Sequence, residues 1–276
     1  MSSRLSTILL IGATSGIGEA LTRRFHGMGK KVIATGRNKD KLDALAAELR
    51  GLETRAFDMS ELAALPSTVA QVLQDFPELD TVYISAGIQK SYNLFDPLTT
   101  ASAEKIVHEI TTNLTAPNIL TQLFAPHLLK LAKSGKKSTI FITSSSLAYI
   151  PLGFYPTYCA TKAGVHAFMM AFRQQLSSAD EEASKNMNIV EVVPPYVDTA
   201  LDQEHRESIF AMQGGKEKGF QPIPLNEFVN VFFESLDQLT PDGSIKKEIG
   251  VGYGQNVADL WRGAFEKVYQ QMGVSV

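Results

Sequence analysis

A tyrosine and a lysine four residues apart, Tyr158 and Lys162, form the pair with the clearest chemistry in this sequence. On a helix this spacing puts both side chains on one face, one turn apart. A phenol has a reference pKa of about 10 and is a poor proton carrier near neutral pH. A neighbouring ammonium group favours the phenolate, so we expect Lys162 to lower the pKa of Tyr158. The pair is a candidate general acid/base for a hydroxyl or carbonyl substrate, although an amphipathic helix with an ordinary surface lysine has the same spacing.

Three glycines near the start of the chain predict a second site, one for a dinucleotide. Residues 7–11 have the pattern of a buried strand, Gly12, Gly16 and Gly18 follow, and a helical stretch begins near residue 17. Strand, glycine-rich turn and helix in this order form the dinucleotide-binding context. Glycines permit a tight turn and a close backbone approach, and a helix N-terminus presents free N–H groups to a pyrophosphate. A simple turn is the alternative for three glycines alone.

The glycine spacing, Gly-x-x-x-Gly-x-Gly, and the Tyr-x-x-x-Lys pair together resemble the short-chain dehydrogenase/reductase family, in its compact single-domain branch. The resemblance extends from about residue 6 to residue 255. Ser145, thirteen residues before Tyr158, lies where the family keeps its catalytic serine. Asn113 matches the asparagine of the family's long central helix, and residues 194–199 match a segment that usually reads Pro-Gly-x-Val-x-Thr.

Three positions depart from the family pattern. Ile11 replaces the threonine that usually precedes the first glycine, and Ser85 lies in Ile-Ser-Ala-Gly instead of Asn-Asn-Ala-Gly. Pro195 replaces a glycine and stiffens the backbone beside the expected nicotinamide pocket. These departures concern the cofactor contacts and remove no catalytic group.

The resemblance implies a carbonyl reduction carried out by four residues. Tyr158 would donate a proton to the carbonyl oxygen while NADPH delivers a hydride to the carbon. Lys162 would hold the ribose hydroxyls next to the nicotinamide, Ser145 would orient the substrate oxygen, and Asn113 would fix a water that relays protons to Lys162. Each of Asn113 and Ser145 alone could instead be an ordinary polar group of a helix or turn.

The end of the second predicted strand, 31–35, favours NADP(H) over NAD(H). NAD-specific sites place an acid at this end to accept hydrogen bonds from the ribose 2′-hydroxyl. Gly36 occupies that position, and Asp40 is the first acid beyond it. The guanidinium group of Arg37 can bind a 2′-phosphate through charge-assisted hydrogen bonds. Arg37 could instead be a surface residue before a helix that opens at Asn38.

The family resemblance implies a wider set of cofactor contacts. An Asp-Met pair after the third strand would contact the adenine, an Ala-Gly pair would line the adenine ribose, and a Val-Thr pair would hold the carboxamide. The predicted cofactor-binding residues are Gly12, Thr14, Ser15, Gly16, Ile17, Gly18, Arg37, Asn38, Asp58, Met59, Ala86, Gly87, Tyr158, Lys162, Val197 and Thr199.

Composition bounds the class of protein. The chain has 276 residues, 44% of them hydrophobic and 20% charged, which suits a sizeable buried core. A formal charge of −3 disfavours a nucleic-acid partner. Cys159 is the only cysteine, so we expect a reducing, cytoplasmic location; we interpret it as a small buried residue and not as a nucleophile. We expect no signal peptide, no membrane-spanning segment and no metal site.

Short apolar runs alternate with helical stretches, which is typical of a Rossmann-type α/β fold: a doubly wound, mostly parallel seven-stranded sheet with helices on both faces. We expect one domain over 1–276. The predicted strands are 7–11, 31–35, 53–57, 79–84, 138–143, 188–193 and 246–251. The predicted helices are 17–28, 39–50, 60–75, 101–132, 156–180, 225–238 and 256–272.

Two segments are special. Residues 200–224 are polar and match the family's substrate lid, although a disordered surface loop would have a similar composition. Glycines at 250, 252 and 254 resemble a second nucleotide loop, but no strand follows to complete a βαβ unit. We interpret them as an edge-strand bend.

Apolar and aromatic residues fill 147–155, between the candidate serine and tyrosine. In the family this stretch walls the substrate pocket, which favours a hydrophobic or aromatic ketone, aldehyde or diketone; core packing is the alternative. A non-catalytic NADP-binding redox sensor or partner-regulating protein is the second functional hypothesis. The long helices 101–132 and 156–180 are expected to pack across the interface of a homodimer or homotetramer.

Overall fold

In the computed structural model, which describes residues 4–274 and residue 276, short runs of the sequence, most of them buried, form a seven-stranded sheet. All neighbouring strands pair in parallel, in the order β3-β2-β1-β4-β5-β6-β7. The strands are β1 Thr7–Ile11, β2 Lys31–Gly36, β3 Glu53–Ala56, β4 Thr81–Ile84, β5 Ser138–Thr143, β6 Met187–Val193 and β7 Glu248–Gly250. The Rossmann-type fold expected from the sequence is confirmed, and the described sheet is parallel throughout.

Helices cover both faces of the sheet. They are α1 Gly16–Gly27, α2 Lys39–Glu48, α3 Leu65–Asp75, α4 Ala103–Ile110, α5 Ala116–Lys133, α6 Pro156–Ala179, α7 Glu181–Asn186, α8 Arg206–Met212, α9 Leu225–Asp237 and α10 Tyr253–Gln271. Within the described part of the chain, none of them is long and apolar enough to cross a lipid bilayer.

The alternating side chains of the central strand show how the two faces are filled. Leu9 and Ile11 of β1 belong to one buried apolar cluster, which also contains residues of α3, α5 and α6. Ile8 and Leu10 belong to a second cluster, with residues of α1 and α9. Successive residues of a strand point to opposite faces, so a run that is buried at every position fits a sheet covered on both sides.

The helix expected over 101–132 is interrupted. A five-residue π-helical turn, Thr111–Thr115, separates α4 from α5. Pro117, at the start of α5, has no N–H to donate to the carbonyl of Asn113 four residues earlier. A π turn is a recurrent way to absorb such a break, and these turns are frequent at functional sites.

Other differences from the expected elements are local. The helices α7 and α8 were not expected, and the last strand has three residues where 246–251 was predicted. The glycines at 250 and 254 permit a close approach where β7 turns into α10. A Cβ atom on Gly254 would lie 2.0 Å from the carbonyl oxygen of Val193, and one on Gly250 would lie 2.4 Å from the amide nitrogen of Gln255.

Strand order reverses beside β1, since the chain passes from β1 outward to β3 and then returns to β4 on the other side. In open parallel sheets, ligands bind in the crevice outside the carboxyl ends of the strands at such a point. The residues that follow β1, β4 and β5 are therefore the ones brought together at a candidate site.

Candidate active site

One cleft of about 1060 Å³ lies at the carboxyl end of the sheet. It joins the glycine-rich turn after β1 to the serine-rich segment after β5, and it continues under residues 199–223. All of the residues predicted to bind the cofactor line it: Gly12, Thr14, Ser15, Gly16, Ile17, Gly18, Arg37, Asn38, Asp58, Met59, Ala86, Gly87, Tyr158, Lys162, Val197 and Thr199. Ser145 lines the same cleft.

Glycines shape the turn that follows β1. Gly12 has a φ of +95°, and a Cβ atom there would lie 2.6 Å from the amide nitrogen of Ala86. A Cβ atom on Gly18 would lie 2.1 Å from the carbonyl oxygen of Gly12. The backbone of this turn is thus exposed to the cleft at the first turn of α1, where free N–H groups suit a pyrophosphate. The geometry fits a dinucleotide.

We predict opposite effects for two glycine-to-alanine substitutions on α1. Gly18→Ala should destabilise the protein by roughly 1–3 kcal/mol, since its Cβ atom collides with backbone. Gly27→Ala, at the other end of the helix, meets nothing within 4 Å and should stabilise by roughly 0.4–1 kcal/mol. Urea unfolding of both variants measures this, and equal stabilities would contradict the tight packing of the turn.

A positive charge lies at the end of β2. The Arg37 side chain is 65% exposed, and its Nη1 atom lies 3.9 Å from a carboxylate oxygen of Asp58. Asn38 caps α2, since its side-chain oxygen accepts from the amide of Lys41 at 2.9 Å. Burial alone would raise the pKa of Asp58, but hydrogen bonds from Ser60 and the charge of Arg37 hold it below its usual value.

The candidate serine, tyrosine and lysine come from two elements. Ser145 follows β5, and its hydroxyl accepts from the amide of Leu147 at 3.1 Å. Tyr158 and Lys162 lie one turn apart on α6, and both are buried. The Lys162 ammonium group donates to the carbonyl oxygen of Thr143 at 2.9 Å and lies 5.6 Å from the centre of the Tyr158 ring.

Burial changes the expected proton affinities of this pair. It raises the pKa of Tyr158, which a hydrogen bond from Ser145 offsets only in part. The fall expected from the spacing to Lys162 is therefore wrong for this structure, because the sequence did not show how completely the phenol is buried. Burial also lowers the pKa of Lys162 to about 8, against the opposing charges of Glu191 and Glu109. Near pH 7 the site thus holds a neutral phenol and a mostly protonated amine.

Asn113 lies in the π turn beneath the cleft, 1% exposed. Its side-chain oxygen accepts from the amide of Ile88 at 2.9 Å, and its nitrogen donates to the Ile88 carbonyl at 2.8 Å and to the Thr161 hydroxyl at 3.3 Å. The side chain therefore ties the loop after β4 to α6. Its carboxamide fixes the floor of the cleft and does not reach into it.

Residues 199–223 cover one side of the cleft, and both ends of this segment are tied together. Ile223 pairs with Val197 as an isolated β-bridge. The Ile223 amide donates to the carbonyl oxygen of Tyr196, and the Asp198 amide donates to the carbonyl oxygen of Ile223, each at 2.9 Å. Inside the segment, Arg206 donates to Asp202 at 2.6 Å and to Asp198 at 2.8 Å. The predicted lid is thus a folded cover with a helix, α8, at its centre.

Two contacts join this cover to the loop after β4. The Lys90 ammonium group lies 2.6 Å from a carboxylate oxygen of Glu204, and His205 Nε2 lies 3.3 Å from the side-chain oxygen of Gln89. Sequence reasoning missed Gln89, Lys90 and their partners, because the residues are ordinary polar types that only the fold brings together. It also missed the fully buried Glu109, four residues before Asn113.

Comparisons with known proteins agree with this geometry. The model of a family described as short chain dehydrogenase matches residues 6–209. An oxidoreductase named DltE from Bacillus subtilis is 31% identical and covers 97% of this chain and 96% of its own. Serine 3-dehydrogenase from Agrobacterium fabrum is 29% identical over 82% of this chain and 86% of its own.

A solved structure is also similar over nearly the whole chain. The short-chain dehydrogenase from Sphingobium yanoikuyae, in complex with NADPH, superposes with a TM-score of 0.74 at 25% identity, covering 98% of this chain and 95% of that one. The resemblance drawn from the glycine and Tyr-x-x-x-Lys spacings is confirmed. The chain belongs to the short-chain dehydrogenase family of oxidoreductases.

Proposed function

We propose that this protein is an NADP(H)-dependent carbonyl reductase whose proton donor is Tyr158. The proposal rests on one observation. The buried neutral phenol of Tyr158, the Ser145 hydroxyl and the Lys162 ammonium group line the same cleft as the glycine-rich turn, whose geometry fits a dinucleotide. A neutral phenol has a proton to give, which suits reduction of a carbonyl more than it suits removal of a proton from an alcohol.

Each polar group in the cleft has a separate task in this proposal. A bound NADPH supplies the hydride. Tyr158 donates its hydroxyl proton to the carbonyl oxygen as negative charge develops there, and Ser145 holds that oxygen by a hydrogen bond. Lys162 holds the ribose hydroxyls and stabilises the phenolate left on Tyr158. Asn113 fixes the floor beneath Lys162 through the loop after β4.

Preference for NADP(H) over NAD(H) is supported by charge. No carboxylate stands at Gly36, the position where NAD-specific sites keep one. Arg37 is mostly exposed, and its separation of 3.9 Å from Asp58 is long for an ion pair, so its guanidinium group can turn to a 2′-phosphate at small cost. The relative from Sphingobium yanoikuyae, which was solved with NADPH, supports the same cofactor.

The substrate side of the cleft favours an apolar carbonyl compound. The apolar residues of its walls come from the segment after Ser145, from α8 and from the end of the cover. They include Leu147, Ile150, Leu152, Tyr155, Ile209, Phe210 and Phe220. Contact with such side chains rewards burial of apolar surface, at about 25 cal/mol per Å². We therefore propose a hydrophobic or aromatic ketone, aldehyde or diketone as the substrate class.

The proposal is tested by following NADPH oxidation with a panel of ketones, aldehydes and diketones, with amino-acid and sugar substrates as the contrast. Turnover is expected with the apolar carbonyl compounds, and it should be faster with NADPH than with NADH. Saturable NADPH binding with no turnover across the panel would overturn the proposal in favour of a dinucleotide-binding redox sensor or partner-regulating protein.

We also propose a homodimer or homotetramer. Apolar side chains stand in solvent on α4 and the loop before it, with Phe95 and Leu98 each 94% exposed. On these two segments the exposed large apolar residues are Leu94, Phe95, Leu98, Val107 and Ile110. Such a group of side chains is typical of an interaction surface. Light scattering at micromolar concentration is expected to give a dimer or tetramer, and a monomer would contradict the proposal.

A further inference from the structure

Glu109, on α4, is a fully buried carboxyl group outside the lining of the cleft. Its Oε1 atom accepts from the backbone amide of Lys90 at 2.9 Å. Its Oε2 atom has no hydrogen-bond partner among the described residues. A buried ionisable group with an unpartnered oxygen is costly, so its presence beside the candidate active site calls for a physical reason.

Glu109 lies one helical turn before Asn113, next to the candidate catalytic lysine. A Cβ atom on Gly87 would lie 3.3 Å from Asn113 Oδ1 and 3.5 Å from Lys162 Nζ, so the ammonium group is close to this part of the helix.

The charges of Lys90 and Lys162 act on Glu109, and the charge of Glu109 acts on Tyr158 and Cys159. A negative charge on Glu109 stabilises the Lys162 ammonium group and opposes loss of the Tyr158 proton. The first effect keeps Lys162 charged, whereas the second disfavours transfer of the Tyr158 proton, so any support that Glu109 gives to the reaction acts through Lys162.

A second buried carboxyl group faces Lys162 from the sheet. Glu191, on β6, is fully buried, and its Oε2 atom lies 2.8 Å from His166 Nδ1. Its charge also favours the Lys162 ammonium group. Glu191 gives the larger support to the Lys162 ammonium group and Glu109 the smaller. The contact of Glu191 with His166 complicates any substitution of Glu191, which makes Glu109 the cleaner site to test.

Glu109 also positions backbone. Asn113 binds Ile88 in both directions, and Glu109, one turn earlier on the same side of the helix, binds the amide of Lys90. The loop segment between them lines the cleft, and the Lys90 side chain continues to Glu204 in the cover. The Glu109 carboxyl group thus holds the loop that contacts the cover, and its charge also acts on Lys162.

We infer that Glu109 is a positioning residue whose carboxylate keeps Lys162 protonated during the proposed reduction. The inference rests on the proposed function for its catalytic meaning, but the charge coupling is a property of the protein with or without turnover. Burial raises the pKa of Glu109 itself to about 7, against the hydrogen bond from the Lys90 amide. Glu109 is therefore neutral in mild acid and charged in mild alkali.

The sign of the pH effect follows from these charges. Below about pH 6 Glu109 is protonated, so replacing it with the neutral isostere glutamine should change the field at Lys162 little. Above pH 7 the wild type gains a negative charge that Glu109→Gln lacks, and the pKa of Lys162, about 8 in the wild type, should fall in the variant. We expect a fall of about 0.5–1 pH unit, less than the roughly 1–3 units that one close charge can produce, because Glu191 still supports the Lys162 ammonium group in the variant.

The experiment compares NADPH affinity and kcat across pH for the wild type, Glu109→Gln and the control Glu104→Gln. Glu104 is exposed on the same helix. Wild type and Glu109→Gln should agree within about twofold at pH 6. At pH 8.5, the shift of 0.5–1 unit should weaken binding and turnover of Glu109→Gln by roughly three- to eightfold. Glu104→Gln should follow the wild type throughout.

If the ratios of NADPH affinity and kcat between Glu109→Gln and wild type were the same at all pH values, the inference would be overturned. Loss of a merely structural contact would weaken the variant equally at every pH. If the shift occurs in NADPH affinity but no substrate turns over, the inference stands and the reductase proposal fails. If Glu109→Gln does not fold, the test is instead the pH titration of the glutamate carboxyl groups of the wild type, followed by ¹³C NMR. One carboxyl titrating near pH 7 is then expected, whereas titration of every carboxyl below about pH 5 would overturn the inference.

Discussion

Replacing Tyr158 with phenylalanine should abolish carbonyl reduction and leave NADPH affinity nearly unchanged. The ring is 6% exposed and keeps its packing in the variant, but the proton donor is gone. General acid/base groups typically contribute about 10²–10⁴-fold to the rate. The loss in kcat should lie at the upper end of this range or beyond it, since Tyr155, the tyrosine nearest to Tyr158 in the sequence among those that line the cleft, has a pKa raised by burial to about 12 and a different position.

Steady-state kinetics and fluorescence titration with NADPH measure the two halves of this prediction. Tyr155→Phe is the matched control, because it removes one hydroxyl from the same cleft without removing the proposed donor. Its kcat should fall by less than about tenfold. A Tyr158→Phe variant that kept a tenth or more of the wild-type kcat would remove Tyr158 from the role of acid. A collapse of NADPH affinity would indicate a structural role instead.

Arg37→Ile should weaken NADPH binding by about 10–150-fold and leave NADH binding almost unaffected. A hydrogen bond to a charged group contributes roughly 1.5–3 kcal/mol, which corresponds to this range. The side chain is exposed, so its loss should disturb the fold little. Isothermal titration with both cofactors measures the difference, and Arg50→Ile, an exposed arginine outside the cleft, is the control.

Adding Gly36→Asp should move the preference further towards NADH, because a carboxylate accepts from a 2′-hydroxyl and repels a 2′-phosphate. A Cβ atom at Gly36 would lie 2.8 Å from the Cγ2 atom of Thr14, so Thr14 has to rotate in that variant. The single Arg37 substitution is therefore the cleaner test. Equal weakening of both cofactors would make Arg37 structural and move the 2′-phosphate elsewhere, towards Ser15 or Lys41.

The sheet could be predicted from the sequence because most of its strands are short apolar runs separated by helical periods; β3, with the sequence Glu-Thr-Arg-Ala, is the exception. The first strand was predicted to the residue and the helix after the glycine turn to within one residue at each end, since an apolar run and a glycine spacing are both local features of the sequence. The π turn at Thr111–Thr115 could not be predicted in the same way. One extra residue in a turn hardly changes a helical hydrophobic period, and only Pro117 gave a local hint.

The candidate site was predictable in its residue types and not in its electrostatics. Spacing placed Tyr158 and Lys162 on one face of a helix, and both line the cleft. Spacing did not reveal that burial, which depends on the whole fold, decides the pKa of Tyr158. Glu109 was missed for the same reason, because a glutamate on a helix is usually solvated and only the packing of α4 against α6 encloses it.

The structure of the cover over the cleft could be predicted from the sequence only in part. A polar composition with paired glycines at 214 and 215 indicated a loop, and the lid expected at 200–224 contains the helix α8. Ion pairs of Arg206 with Asp198 and Asp202 hold the start of that helix. Its one buried residue is Ile209, which lies in an apolar cluster with Tyr155 and Tyr158. Hydrophobic periodicity, the main signal for a helix, is weak in such a segment.

The most direct test of a Tyr158-dependent reductase is a crystal structure of the Tyr158→Phe variant with NADPH and the best carbonyl substrate, a complex that should accumulate without turnover. The predicted result places the dinucleotide on the glycine turn at 12–18, with its 2′-phosphate on Arg37. The substrate carbonyl oxygen should lie within hydrogen-bond distance of Ser145 Oγ, facing the phenyl edge of residue 158. A carbonyl oxygen turned away from residue 158, or a dinucleotide bound elsewhere, would contradict the proposed reaction.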